Sequence, residues 1–233
     1  MGYLYGIDMY YIILVMPAVL FALYAQSKVQ GTFNKYLNVR NVRGYTGAYI
    51  AREILDSQGL HDVRVEMTNG HLTDHYDPRS KVVRLSQSVY SSTSVGAVGV
   101  AAHETGHAIQ HQVSYAPLAF RNSLVPVASL GSSAAIPLAI LGLIVGWEPL
   151  VYFGIIMFTA VVAFQVITLP VEFNASSRAL EILETKGLLS REELVPTKKV
   201  LNAAALTYVA AAAVGIANLL RLLLIAGVGR RRD

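Results

Sequence analysis

Two stretches without a single charged residue, 124–146 and 150–170, constrain this chain most. Each is long enough to cross a bilayer as a helix, which takes roughly 20 apolar residues. The tight turn Gly146-Trp147-Glu148-Pro149 joins them, so they read as a membrane hairpin with Trp147 at an interface. Two further apolar runs flank this pair. The first covers 9–25, with Asp8 before it and Lys28, Lys35, Arg40 and Arg43 after it. Its other reading is a cleaved signal peptide, but no basic segment precedes it, Pro17 sits in its middle, and it is long for such a segment. Tyr3, Tyr5, Tyr10, Tyr11 and Tyr24 suit membrane interfaces. The last run, 202–227, is interrupted by Arg221 and ends in Arg230, Arg231 and Arg232. Arg221 leaves open a bend or a partly interfacial course. Hydrophobic residues make up 54% of the chain and charged residues 15%, against a usual charged share of roughly 25%. The deficit falls in the runs, and the sequence between them has ordinary globular composition.

The water-facing material is therefore two pieces, 27–120 and 171–200, on one side of the membrane because two spans separate them. The expected order is an N-terminal membrane helix (1–26), a first domain segment (27–120), the hairpin (121–170), a second domain segment (171–200), and a C-terminal membrane helix with a basic tail (201–233). Within the first segment, 44–59 reads as a helix with Thr46 as N-cap and Gly59 at its end. Val63–Met67 alternates like a strand, Asn69-Gly70 is a hairpin signal, and 71–76 would be the returning strand. Asp77-Pro78-Arg79-Ser80 reads as a turn and 81–86 as a third strand. A small antiparallel meander then precedes a helix over 94–112, rich in Gly and Ala and so open to close approach by neighbours.

That helix carries His103-Glu104-Thr105-Gly106-His107. Residues four apart share one helix face, so two imidazoles can grip one zinc ion with Glu104 beside it as a general base. The alternative is two buried histidines with no metal role. Zinc sites of this kind take three protein ligands. With no cysteine in the chain, the third must be His, Asp or Glu, and disulfides are excluded. His111 lies four residues past His107, but a straight helix spreads 103, 107 and 111 over about 12 Å, whereas Zn–N bonds are about 2.0–2.1 Å. His111 better suits a supporting, substrate-facing or surface role. Glu172, just after the third span, is the stronger candidate, delivered by a second helix that crosses the first. Its other reading is a surface glutamate at a helix N-terminus, favoured by the dipole.

The segments His71-Leu72-Thr73-Asp74-His75-Tyr76-Asp77-Pro78, Ala102–His107 with Gln110-His111, and Leu169-Pro170-Val171-Glu172 with Ala175-Ser176 together resemble the YugP-like neutral zinc metallopeptidases of bacterial membranes. The resemblance covers nearly the whole chain. More distantly the plan is similar to membrane gluzincins of the HtpX and CAAX-processing type. It implies an α+β membrane protein, mostly helical, with about four membrane helices and a small zincin-like catalytic domain containing a short antiparallel sheet. It also implies a multi-pass protein of the bacterial plasma membrane whose catalytic domain faces the cytoplasm and cuts peptide or protein substrates, membrane proteins among them. One Zn2+ per chain would be held by His103, His107 and Glu172, with Glu104 as base. Many gluzincins read Glu-x-x-x-Asp, the Asp orienting a ligand histidine; here that position is Ser176, and Ser176 or Asn174 would take over the role. His75, Tyr76 and Arg178 are candidates for steadying the developing oxyanion, and the strand 71–76 for pairing with an extended substrate.

Basic residues support this sidedness. Lys28, Lys35, Arg40, Arg43, Arg121, Arg178, Lys198 and Lys199 gather on the domain side, while Arg230–Arg232 oppose them. No basic stripe interleaves with aromatics, so a nucleic-acid partner is not expected. The two hairpin spans contain no ionisable relay, which disfavours an ion transporter. A metal-binding scaffold or adaptor without proteolytic activity would need the three ligands but not Glu104, and Glu104 is present.

Overall fold

A computed structural model describes residues 8–229. Tyr3 and Tyr5, expected at an interface, and the Arg230–Arg232 tail lie outside the described residues. The chain forms two compact units. One draws on residues up to Gln26, Phe120–Leu169 and residues from Thr207 onward; the other on Ser27–Ala119 and Pro170–Leu206.

The first unit is helical. It contains a short π-helical turn at Tyr11–Val15 leading into α1 (Met16–Leu37), most of α5 (Ala116–Val145), the first part of α6 (Glu148–Thr185) and the last part of α7 (Arg191–Gly229). All four long helices are apolar enough to cross a membrane by length and composition. Pro126 and Pro137 sit inside α5, which neighbouring helices in lipid tolerate better than water does. Ala135, Ala139, Val151, Ile155, Phe158 and Leu222 form its buried core, whereas Leu130, Ile144 and Ile156 are exposed, as lipid-facing side chains would be. Arg221 does not break α7. Its Nε and Nη2 donate to Asp8 Oδ2 at 2.9 and 2.8 Å, and its guanidinium lies over the Tyr11 ring at 5.3 Å. A charge paired this way is accommodated without a bend.

The second unit is α+β. Around its core lie α2 (Gly47–Ser57), β1 (Arg64–Thr68), β2 (His75–Asp77), β3 (Val82–Ser86), the short α3 (Gln87–Tyr90) and α4 (Val95–Gln112). The ends of α1 and α6 and the start of α7 complete it. Thr46 caps α2 as expected, accepting from the Tyr49 amide at 3.1 Å. Ile50, Ile54 and Leu55 of α2, Val83 and Leu85 of β3, Val98 and Ala102 of α4, and Leu183 of α6 meet in one core.

The sheet departs from the expected meander. Its order is β1-β3-β2, with β1 parallel to β3 and β2 antiparallel to β3, so it is mixed. Burial explains the order. Val82, Val83 and Leu85 are fully covered, as befits a central strand, while β1 and β2 are half-exposed edges. A strand covered on both faces takes the centre, and that preference outweighs the local hairpin signal. Asn69-Gly70 does make a turn. Gly70 has φ +107°, and a Cβ there would meet Thr73 Cγ2 at 2.6 Å, but the chain swings past β1 instead of pairing with it. The Asp77–Ser80 turn does form the β2–β3 link, with Asp77 Oδ1 accepting from the Arg79 amide at 2.9 Å. The other departure is α6. It runs unbroken through Pro170, so Glu172 sits within a helix and is 3% exposed. It is not a surface residue at a helix N-terminus.

Candidate metal centre

The helix α4 starts where Ser94 Oγ accepts from the Ala97 amide at 3.1 Å. It ends at a left-handed Ser114, φ 51°, with the Tyr115 amide donating back to the Gln110 carbonyl at 2.9 Å. Between these limits its face of Ala97, Ala101 and Ala102 is fully buried. Gly106, inside the motif, has a second task. A Cβ there would stand 2.7 Å from the Ala175 carbonyl oxygen of α6, so the two backbones touch at this point. Glu172 lies one turn before Ala175 on α6, and the close crossing is what lets its short side chain reach the histidines.

Three donor groups converge. His103 Nε2 lies 3.2 Å from Glu172 Oε2, His107 Nε2 3.6 Å from the same oxygen, and the two Nε2 atoms 3.2 Å from each other. One ligand atom from each of the three residues lies within 4.8 Å of the other two. The other nitrogen of each imidazole is occupied. His103 Nδ1 bonds Ser176 Oγ at 3.0 Å, and His107 Nδ1 bonds Gln110 Oε1 at 3.0 Å.

The Gln110 contacts fix a tautomer. Its Nε2 donates to the backbone carbonyl of Val171 at 2.8 Å and to Asn174 Oδ1 at 3.0 Å. A carbonyl can only accept, so the amide orientation is set and Oε1 faces His107. Oε1 is likewise only an acceptor, so His107 Nδ1 carries the proton and, in the neutral ring, its Nε2 lone pair points into the cluster. Asn174 is oriented in turn by Arg178, whose Nε donates to Oδ1 at 2.8 Å. This is the arrangement that holds a metal-ligating histidine in place.

Electrostatics point the same way. Glu104 is buried, and burial pushes its carboxyl above the usual range, against the pull of His103 and His107 and with the push of Glu172 and Asp74. Burial alone would lower His107, but its bond to Glu172 and the charges of Glu104 and Glu172 outweigh that and raise it. Two carboxylates and two imidazoles in one pocket favour positive charge at their centre. Nearby, Asp74 is raised by burial although the Ser86 amide and hydroxyl donate to it, at 2.7 Å for the amide.

The remaining sequence candidates lie in two groups. Asn174, Ser176 and Arg178 belong to the hydrogen-bonded support of the cluster. His111 is not in the three-residue cluster; its Nδ1 bonds the Tyr76 hydroxyl at 3.0 Å, linking the end of α4 to β2. His75 is exposed, with Nδ1 on the Thr73 carbonyl at 2.8 Å. Sequence reasoning gave Gln110 no role, although a glutamine three residues after a candidate ligand histidine, on the same helix face, was a usable signal. It likewise gave no role to Asp74 and read Gly106 only as one small residue among several.

The donor set fits a zinc-type ion. Two imidazole Nε2 atoms and one carboxylate oxygen face a common point, and the opposite imidazole nitrogens are tied back. Residues 11–227 match the family described as "Putative neutral zinc metallopeptidase". The chain is also 50% identical, over 222 residues, to a Bacillus subtilis (strain 168) protein named "Putative membrane protease YugP", covering 95% of this chain and 99% of that one. No solved structure matches.

Proposed function

Because the chain belongs to the neutral zinc metallopeptidase family, we propose that it is a membrane-bound zinc endopeptidase in which His103, His107 and Glu172 hold one Zn2+ and Glu104 is the general base. The observation that carries this reading is the fixed tautomer of His107, since a histidine anchored through Nδ1 by an acceptor presents a bare Nε2. When bound, zinc supplies Lewis acidity to a water molecule and to the scissile carbonyl.

The chain's own residues do the rest. A Glu104 carboxylate oxygen takes the proton of the attacking water and passes it to the leaving amide nitrogen, and burial, by raising its affinity for a proton, favours the first of these steps. Gln110 and Ser176 keep the two rings oriented through the cycle. The Tyr76 hydroxyl, bonded to His111 Nδ1, is the candidate donor to the substrate carbonyl oxygen. The edge strand β2 offers backbone groups to an extended peptide. The substrates are peptides or proteins, membrane proteins among them, and the catalytic unit faces the cytoplasm.

The test is Glu104→Gln. The variant is expected to keep zinc at wild-type stoichiometry and to lose chelator-sensitive cleavage of an unfolded protein by about 10²–10⁴-fold. Retained cleavage would overturn the assignment of the base. No cleavage by the wild type at full zinc occupancy would favour a metal-binding scaffold.

A further inference from the structure

Away from the metal centre, the α+β unit holds a cavity of about 560 Å³ between the end of α1 and the start of α7. Its size falls within the roughly 300–1,000 Å³ of small-ligand sites. Lys28 and Lys35 line it from α1, two turns apart on one face, beside Tyr36. From α7 come Lys199, Asn202 and, two turns below Lys199, Leu206. Three lysines and an asparagine thus line one space, and no acidic residue is among its lining. We propose that this cavity binds the phosphate-bearing headgroup of an anionic phospholipid.

Charge selects an anion, and chain position selects its source. The helix α1 passes from the apolar unit to the α+β unit at Gln26–Ser27, and α7 passes back at Leu206–Thr207. The cavity therefore begins where both helices leave their apolar stretches. Lys28 lies just past that boundary on α1, as Leu206 lies just before it on α7. Lys35 and Lys199 stand seven residues further out, or about 10 Å along a helix. That depth is comparable to the headgroup layer, roughly 5–8 Å on each side of a hydrocarbon core about 30 Å thick. Basic pockets between membrane helices at this level select anionic headgroups. A soluble phosphate would use the same lysines but gains nothing from an apolar floor at Leu206.

The site also bears on the metal centre. A Cβ on Gly96 of α4 would lie 3.2 Å from the Tyr36 backbone of α1, and one on Gly99 2.8 Å from Thr197 Cγ2 of α7. The motif helix therefore rests on both helices that line the cavity. A headgroup bridging Lys35 and Lys199 ties those supports together.

The experiment uses the full-length protein in nanodiscs of phosphatidylcholine, with and without a minor fraction of phosphatidylglycerol, and reads the unfolding midpoint and the lipid retained in native mass spectrometry. The wild type is expected to retain phosphatidylglycerol and to gain roughly 5–10 °C at about hundredfold saturation. The combined variant Lys28→Gln, Lys35→Gln, Lys199→Gln should lose both effects. A control with the same charge change on exposed residues elsewhere, Arg79→Gln, Lys186→Gln, Arg191→Gln, should keep them. An equal response from the cavity variant and the control overturns the site. An equal rise from inorganic phosphate in phosphatidylcholine discs, with nothing added by phosphatidylglycerol, overturns the lipid assignment. Should the Gln variant fail to fold, the matching Lys→Arg variant decides, and failure of that folded protein to respond to phosphatidylglycerol also overturns the site.

Discussion

Gly106→Ala puts one methyl group into the crossing of α4 and α6. The new Cβ would lie 2.7 Å from the Ala175 carbonyl oxygen and 3.2 Å from that residue's carbonyl carbon and Cα, where ordinary contact begins near 3.4 Å. The obstruction is backbone, so no rotamer relieves it, and the helices must part by about 0.7 Å. For the fold the change is modest. Overpacking costs about 1–3 kcal/mol, and alanine's better helix propensity returns about 0.8–1.0 kcal/mol. For the metal it is not modest, because ligand distances tolerate only about ±0.2 Å and Glu172 rides on the helix that moves. Zinc affinity is therefore expected to drop by at least the roughly 10–100-fold typical of disturbed supporting contacts. The metal-free protein should melt within about 8 °C of wild type. Chelator competition with a zinc-sensitive dye gives the first quantity and a melt of the stripped protein the second. Wild-type zinc affinity in Gly106→Ala would refute the idea that this close approach positions Glu172.

Removing the supports separately should give different signatures. Ser176→Ala takes away one bond to His103 and should weaken zinc binding about tenfold with little change in the melt. Gln110→Ala also empties the space of a fully buried side chain and should cost a further 1–3 kcal/mol or so. The metal-free melts of the two variants decide. Asp74 gives a pH prediction. Its carboxyl is raised in the fold, so its contribution to stability is full while it is protonated and is lost as pH rises through its folded value. Asp74→Asn should therefore gain on the wild type as pH rises above about 4, and parallel stability–pH profiles for the two proteins would disprove it. Since the chain has no cysteine, single cysteines report sidedness. Lys186→Cys should react with an impermeant maleimide only in inverted vesicles, and Trp147→Cys only in intact cells; the reverse pattern would reverse the proposed orientation.

Much of the architecture was written in local sequence. Charge-free runs of membrane length and the cap Thr46 are signals a chain carries without its tertiary context. So is the i, i+4 pair His103 and His107, because helix periodicity alone puts both rings on one face. Strand order was not legible in this way. The Asn69-Gly70 dipeptide promises a hairpin, yet pairing is decided by which strand buries both faces, and Val82-Val83-Arg84-Leu85 wins the centre through contacts with α2 and α4 that no local signal encodes. Helix continuity through Pro170 was hidden for a similar reason. A proline with a charged segment after it reads as a boundary in water, but the next turn carries Val171, Glu172 and Ala175, all buried against α4. Their burial keeps the helix going. The role of Gly106 was the least legible, since a glycine in a small-residue helix says only that something approaches closely, and not what.

The Ser176 position changes meaning once the geometry is known. An aspartate there would place a negative charge behind His103 and strengthen it as a donor. Instead both rings are held by neutral groups, a hydroxyl and an amide. Orientation does not suffer, because Gln110 is locked by a backbone carbonyl and by Asn174, itself locked by Arg178. What changes is charge. With neutral supports, Glu172 and Glu104 are the carboxylates directly at the cluster, and a bound divalent ion is left less fully neutralised by its surroundings. A divalent ion held there would be bound less tightly and would polarise more strongly whatever completed its coordination. Both rings therefore keep hydrogen-bonded supports without the aspartate, and its absence would be felt in metal affinity rather than in ring geometry.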